Sequence, residues 1–314
     1  MNRKLNILVT GCGGDIGQSI GKILKENDLF DRILGADLNM HHAGIMIFDK
    51  CFTLPRCNEG AYLGELKKML KANEIDILIP VSEAEIRFFY HNDITEEQLS
   101  VKIIIANKEV LATGLDKLAT SQFLKNNELP YPQTGLISAD QNFVFPCIVK
   151  SRDGAGSKNV LLAKDTTDID YFRLKYPDFI VQEYLKNASE EYTCGLFRSR
   201  EGENRNIIFR RTLLGGFSGY GEVIENKDIE DLLNAISNKL NLIGSINAQL
   251  RIDEKGPCVF EINPRFSSTV RFRDLFGFKD VIWSIQDKLG LHVQPYLPVE
   301  AGKKFYKGFN EYIS

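Results

Sequence analysis

Three stretches of this chain hold side chains whose types and spacing could do chemistry. The first is "NAQLRIDEKGPCVFEINPRF", beginning at Asn247. Two strands joined by a turn at Glu254 to Pro257 set Gln249 opposite Glu261 as cross-strand neighbours. Glu261 and Asn263 stand two apart and project on one face of the same strand, and Arg265 continues that face. Two oxygen donors with a third across the hairpin suit a hard cation of the Mg²⁺ type, completed by phosphate oxygens of a substrate. The arginine beside them suits the oxygens of a transferring phosphoryl group. A plain polar hairpin face is the alternative, but it leaves Asn-Pro-Arg in an otherwise apolar strand without a reason.

The second stretch, "PCIVKSRDGAGSKNV", places Lys150 at the end of an apolar strand, ahead of a loop with Gly154, Gly156 and Ser157. A lysine point charge beside a glycine-rich loop suits nucleotide phosphates. Taken alone, a β-hairpin with an exposed lysine explains it equally well. "FIVQEYL" follows, with Glu183, Tyr184 and Leu185 at a strand end whose main chain could meet an adenine edge. The third stretch, "LNILVTGCGGDIGQSIGKIL", spaces Gly11, Gly14 and Gly17 as G-x-x-G-x-x-G, with Asp37 twenty residues beyond Gly17. A tight turn of this kind brings backbone N–H groups and a helix N-terminus close to an anion. It fits a nicotinamide cofactor or a strand-to-helix turn put to another use. Tyr171 and Lys175 supply the Tyr-x-x-x-Lys that short-chain dehydrogenase chemistry needs, although one such match is expected by chance.

The elements that must hold these residues fall into two styles. Up to about Asn107, continuous apolar strands ("LNILVTG", "RILGAD", "IDILIPVS", "VKIIIAN") alternate with helical patterns from Asp15 to Glu26 and through "AYLGELKKMLKAN". Such runs predict a parallel sheet covered on both faces, a Rossmann-like unit. A helical stretch, "KEVLATGLDKLATSQFLKNN", and a Pro-containing connection lead to a second half of largely antiparallel strands, with helices at Lys227 to Leu240 and Asp280 to Leu289. The fold class read from the chain is α/β, then α+β.

Composition narrows the function classes. The 314 residues are 43% hydrophobic and 26% charged, with a net charge of −3. No basic block points to a nucleic-acid partner, and no apolar run reaches the roughly 20 residues of a membrane span. The opening "MNRKLNILVTG" leads into a strand, leaving no room for a signal peptide. Six cysteines without a C-x-x-C pair, and four histidines at unsuitable spacing, suggest incidental thiols in a reduced cytoplasmic protein rather than a zinc centre. His41 and His42 read as residues of a surface loop, with a substrate contact as the alternative.

Taken in order, "GLDKLATSQFL", "FPCIVKSRDGAGSKNV", "VQEYL", "EEYT" and "NAQLRI…VFEINPRFSST" resemble the ATP-grasp superfamily. The likeness is greatest to a single synthetase unit of the carbamoyl-phosphate synthase large subunit. The resemblance implies a Rossmann-like pre-ATP-grasp domain (1–108), a small subdomain with the glycine-rich lid (109–185) and a C-terminal subdomain with the metal site (186–314). It implies Lys117 and Lys150 on the nucleotide phosphates, the loop Gly154–Ser157 as lid, and Glu183, Tyr184 and Leu185 as the adenine hinge. Glu191 takes the ribose position, and Gln249, Glu261 and Asn263 match the ligands of Mg²⁺ (or Mn²⁺). Arg265 matches the phosphoryl-stabilising arginine, with Arg210 or Arg211 as a further phosphate-facing base. The activity implied is an ATP-dependent carboxylate–amine ligase acting on small molecules, with homodimers among the arrangements known in the family. The glycine loop around Gly11 then faces the acceptor substrate, and Asp37 is a strand-end acid. One synthetase unit, with no room for a second before "KFYKGFNEYIS", argues against carbamoyl phosphate synthesis itself. A dehydrogenase or epimerase built on Gly11, Gly14, Gly17, Asp37, Tyr171 and Lys175, and a non-catalytic ATP-binding protein, are the alternatives.

Overall fold

The computed structural model describes residues 3–139, 142–154, 160–186, 190–215, 217–308 and 310–313. The apolar runs of the first hundred residues become five parallel strands: β1 (Leu5–Thr10), β2 (Phe30–Asp37), β3 (Lys50–Thr53), β4 (Ile77–Ile79) and β5 (Lys102–Ile103), ordered β3-β2-β1-β4-β5. Strands buried on both faces need cover on both. One face carries α1 (Asp15–Lys25), packed with its Ile20, Ile23 and Leu24 inward; the other carries α2 (Tyr62–Ala72) and α3 (Glu83–His91), which bring Leu66, Leu70 and Phe89. Each such side chain, fully removed from water, contributes roughly 1.5–3 kcal/mol.

Strand order reverses between β1 and β4, which opens a crevice at the carboxyl ends of the strands. The turn after β1 enters that crevice through Gly11, whose φ of 64° lies where side chains are disfavoured. A Cβ at Gly17 would lie 2.3 Å from the Gly11 carbonyl oxygen, so α1 sits this close to the turn only with glycine there.

A short helix α4 (Glu96–Leu99) precedes β5. The helical stretch expected as one piece is two helices, α5 (Lys108–Gly114) and α6 (Lys117–Asn126). The break has a local cause: Asp116 caps α6 by accepting the Leu118 N–H at 2.9 Å, and Arg152 in turn grips the Asp116 carboxylate.

Two antiparallel sheets follow. The smaller holds β6 (Thr134–Leu136), β7 (Cys147–Lys150), β8 (Val160–Ala163) and β9 (Ile180–Glu183), ordered β6-β9-β7-β8, with α7 (Thr166–Lys175) against it. The larger holds β10 (Glu191–Arg198), β11 (Asn204–Leu214), β12 (Phe217–Val223), β13 (Gly244–Asp253), β14 (Gly256–Asn263) and β15 (Lys304–Tyr306), ordered β14-β13-β10-β11-β12-β15. The turn between β13 and β14 is shorter than expected, because Gly256 and Pro257 already pair with Asp253 and Ile252. One face of the larger sheet is covered by α8 (Lys227–Lys239), α5 and α6 in a single core containing Ile229, Leu233, Val110 and Leu124.

The last helices, α9 (Val270–Leu275) and α10 (Asp280–Lys288), join the units: Val270, Ile282 and Ile285 pack into the same core as Ile20 and Ile23 of α1. Arg273 and Asp280 form a fully buried ion pair at 3.0 Å; Ser245 donates to Asp280 and Arg273 donates to Ser267, while Arg273 Nε and Asp280 Oδ1 are left without a partner. Among the described residues no helix is long and apolar enough to cross a membrane.

Candidate active site

The hairpin β13–β14 is the floor of the site. Gln249 stands opposite Glu261, and Asn247 opposite Asn263, as the alternation of the two strands requires. Between Gln249 and Leu250 the register slips, which leaves Phe260 as an extra residue on β14. This bulge turns both Phe260 and Glu261 into one cavity, where strict alternation would have sent them to opposite faces.

That cavity encloses about 600 Å³ between the two antiparallel sheets. Lys117, Lys150, Gly154, Glu183, Leu185 and Glu191 line it together with Gln249 and Glu261. The structure thus brings together most of the residues the sequence singles out. Gly156 and Ser157 lie outside the described residues, and Tyr184 is partly buried and absent from the wall.

Lys150 is buried. Its ammonium donates to Gln182 Oε1 at 2.7 Å and to the Phe260 carbonyl at 3.4 Å, and it lies 5.5 Å above the Phe260 ring. Burial pushes this lysine down to about 8, because an ammonium without water is costly; Glu261 works against that fall and Lys117 adds to it. Lys117 sits at the start of α6, 3.6 Å from Glu261, and donates to the Gly154 carbonyl at 2.8 Å. The Gly154 N–H donates to Glu83 of α3 at 3.1 Å, so the glycine loop begins on a carboxylate of the N-terminal unit.

Glu191 opens β10 directly between two arginines on the neighbouring strands, Arg211 on β11 and Arg251 on β13. Their guanidinium groups reach it at 2.6 Å and 3.0 Å. Burial pushes the Glu191 carboxyl upward, and the two cations outweigh it and hold the group below the usual carboxylate range. Arg211 also donates to Gln249 Oε1 at 3.0 Å. Arg210 is on the other face of β11, about half exposed and paired with Glu222 at 2.9 Å. Of the two arginines expected to face phosphate, the alternation of β11 therefore selects Arg211. Glu183 is held by Lys255 at 2.6 Å, which keeps its carboxyl low against the effect of burial.

A second cavity of about 490 Å³ lies beyond the hairpin. Gln249 and Glu261 line it as well, so these two side chains are a common wall. Asn263, Arg211 and Arg265 contribute to this second space; so do Gly11, Gly14 and Asp15 at the start of α1. Arg265 lies beyond the end of β14 rather than on its face, and donates to the Phe266 carbonyl at 3.0 Å. A third space of about 850 Å³ continues between Gly11, Asp37 and α3 over the N-terminal sheet.

The glycine loop thus borders cavities, but not with the residues a dehydrogenase needs. Tyr171 is exposed on α7 beside Lys175, and neither lines a cavity that Gly11 borders. Asp37 is occupied in holding the turn, accepting from the Gly13 and Leu38 N–H groups at 2.8 Å and 2.7 Å.

The oxygen donors Gln249, Glu261 and Asn263 suit a hard cation, with Lys117 and Arg211 now against two of them. Arg251, Gln182 and Phe260 went unnoticed in the sequence. Arg251 stands two residues after Gln249 on the same strand, so period-two alternation was signal enough. Phe260 depends on a bulge that no pattern announces.

The comparisons agree with this architecture. Residues 7–104 match the family model described as PylC-like, N-terminal domain, and residues 175–305 match that of ATP-grasp in the biosynthetic pathway with Ter operon. The chain is 23% identical over 211 residues to a tyramine–L-glutamate ligase of Methanocaldococcus jannaschii, covering 66% of this chain and 61% of that protein. It is 18% identical over 184 residues to a carbamoyl-phosphate synthase of Methanobrevibacter smithii, covering 56% of this chain and 48% of that one. It therefore spans about half to three fifths of the length of these relatives. An N5-carboxyaminoimidazole ribonucleotide synthetase solved as its ADP complex superposes with a TM-score of 0.75 at 14% identity, over 96% of this chain and 82% of that one. The chain carries an ATP-grasp domain behind a PylC-like N-terminal domain.

Proposed function

We propose that the protein is an ATP- and Mg²⁺-dependent ligase that joins a small-molecule carboxylate to an amine or similar nucleophile. A carboxylate oxygen attacks the γ-phosphorus of ATP and ADP leaves; the amine nitrogen then attacks the acyl phosphate carbon, phosphate leaves and the amine gives up a proton. The observation that carries the reading is the common wall: Gln249 and Glu261 face both the 600 Å³ and the 490 Å³ cavity. A nucleotide in the first and a carboxylate in the second would meet there.

Each side chain has a role set by its place. Lys150 and Lys117 balance phosphate charge from the nucleotide side, Lys150 with added strength because it is dry. Glu183 and Leu185, with Tyr184 between, border the space proposed for the base, and Glu191 the space proposed for the ribose, where Arg211 and Arg251 orient it. Arg265 and Arg211 face the transferring phosphoryl oxygens from the acceptor side. A divalent cation held by Glu261, Asn263 and Gln249 would neutralise charge on the phosphates. Catalysis then rests on positioning and charge, without a covalent protein nucleophile.

The limits 1–108, 109–185 and 186–314 are proposed as the domain divisions; the three separate sheets support them, with α5 and α6 packed on the larger sheet. A reducing, cytoplasmic setting belongs to the same proposal, supported by six free thiols. The test is ADP release with Mg²⁺ across a panel of amino acids paired with amines. Release that needs both partners, with an amide product of the summed mass less water, supports the ligase. Nucleotide binding without release from any pair favours a non-catalytic ATP-binding protein.

A further inference from the structure

The β3-β2-β1 edge of the N-terminal sheet gathers four donors that the proposed ligase chemistry leaves unused. Cys12 follows the Gly11 turn, Asp37 ends β2, His42 lies in the loop beyond it, and Cys51 is in β3. These positions are far apart in the sequence, and the β3-β2-β1 order brings them side by side. The Cys12 sulfur, an Asp37 carboxylate oxygen and a His42 ring nitrogen all lie within 4.8 Å of one another. The Cys51 sulfur is 4.0 Å from that of Cys12. Ligand atoms on a tetrahedral zinc ion, with Zn–S near 2.3 Å, stand about 3.8 Å apart, so a contraction of about 1 Å would bring Cys12, Asp37 and His42 to ligand spacing; Cys51, beside Cys12 but outside that group, would swing further to become the fourth ligand.

The imidazole supplies a second, independent observation. Both ring nitrogens of His42 are buried without a hydrogen-bond partner, a costly state for a side chain that carries a donor and an acceptor. The ring is also held there by design of the turn. A Cβ at Gly13 would fall 2.5 Å from the His42 ring, and one at Gly44 would fall 2.9 Å from its Nδ1. Only two residues without side chains leave room for an imidazole at this point. Asp37 already orients its carboxylate through the Gly13 and Leu38 N–H groups, as an ordered ligand requires.

We propose that Cys12, Asp37, His42 and Cys51 form a binding site for one zinc-type divalent cation, which pins the glycine turn of β1 to the β2–β3 edge of the sheet. The ion is structural and is separate from the hard-cation position at Glu261 and Asn263, whose oxygen donors select a different metal. Occupation displaces the thiol protons and gives one of the two unpartnered ring nitrogens a ligand bond.

The test uses the full-length protein, reduced, stripped with a chelator and titrated with Co²⁺. Co²⁺ bound at this site gives thiolate charge-transfer absorption and tetrahedral ligand-field bands at about one equivalent; Co²⁺ at the oxygen-donor position gives neither. Cys12→Ser and Cys51→Ser should each weaken the charge-transfer band by about half, the double variant should abolish it, and His42→Ala should raise the Kd at least ~10-fold. Glu261→Ala should leave all these signals in place. His42→Ala and Cys51→Ser alter partly exposed residues, and they decide the matter if the buried Cys12→Ser fails to fold. Absence of a thiolate band at stoichiometric Co²⁺ in the wild type overturns the proposal. So does a band that survives His42→Ala and Cys51→Ser unchanged.

Discussion

The two cavities on either side of the β13–β14 hairpin are built in opposite ways. The wall of the proposed nucleotide side is made mainly of strands: Gln249, Arg251, Phe260 and Glu261 come from one hairpin, Glu191 from the strand beside it, and Lys150 and Glu183 from the smaller sheet opposite. The acceptor side gathers the Gly11 turn, the start of α1, the end of β4 and the segment after β14, which join only through the fold. Phosphates are alike in every relative of an ATP-using protein, so their binding residues can be fixed on rigid strands. Acceptors differ, and loops at strand ends can change without disturbing the sheet.

The sharpest way to break this contrast is at the common wall. Glu261→Ala should lower ATP turnover at least about 100-fold while the thermal unfolding midpoint changes little, as measured by ADP release and calorimetry. Arg211 and Arg210 sharpen it next, since neighbouring residues of β11 point to opposite faces. Arg211→Ala should cost roughly 10- to 100-fold in kcat/KM, because it leaves Glu191 held by Arg251 alone and takes the Arg211 donor away from Gln249.

The N-terminal side has its own titrating group. Glu85 is buried on α3 and accepts from the Thr10 and Tyr62 hydroxyls, yet burial still raises its carboxyl to about 6. A raised acid stabilises the fold fully below the ordinary value of 4.5, and that contribution is lost as pH rises through about 6. The loss amounts to about 2 kcal/mol between these values, and chemical denaturation of Glu85→Gln across the window should lack this slope.

On the proposed nucleotide side the shift runs downward instead, and the effect is again lost as pH rises. Lys150, lowered to about 8, is charged at pH 7 and loses its proton above its own value. ATP affinity should therefore weaken by up to about tenfold per pH unit above 8, and Lys150→Arg should flatten that dependence. The smallest effect belongs to Arg210→Ala, within about 0.5 kcal/mol in stability, because an exposed pair with Glu222 contributes little.

The parallel and antiparallel units, and the Gln249–Glu261 pairing, were legible because strand alternation is written directly in residue order. The break at Asp116 was legible only in retrospect, as a capping aspartate inside a helical pattern. The Phe260 bulge, the double grip on Glu191 and the gathering of Cys12, Asp37, His42 and Cys51 were not. Local spacing argued against a metal centre in the thiols and histidines, and parallel strands bring such residues together across 39 positions, the separation of Cys12 from Cys51. His42 was read as a surface side chain; its ring nitrogens are buried against Gly13 because the turn there carries no Cβ.

The most direct measurement of the central claim is nucleotide binding by calorimetry, with ATP, ADP and NADPH titrated into the wild type and Glu261→Ala, each with and without Mg²⁺. Magnesium-dependent ATP binding that Glu261→Ala weakens at least about tenfold is the result expected of a nucleotide site at the hairpin. Binding of NADPH alone, or ATP binding unchanged in the variant, would contradict it.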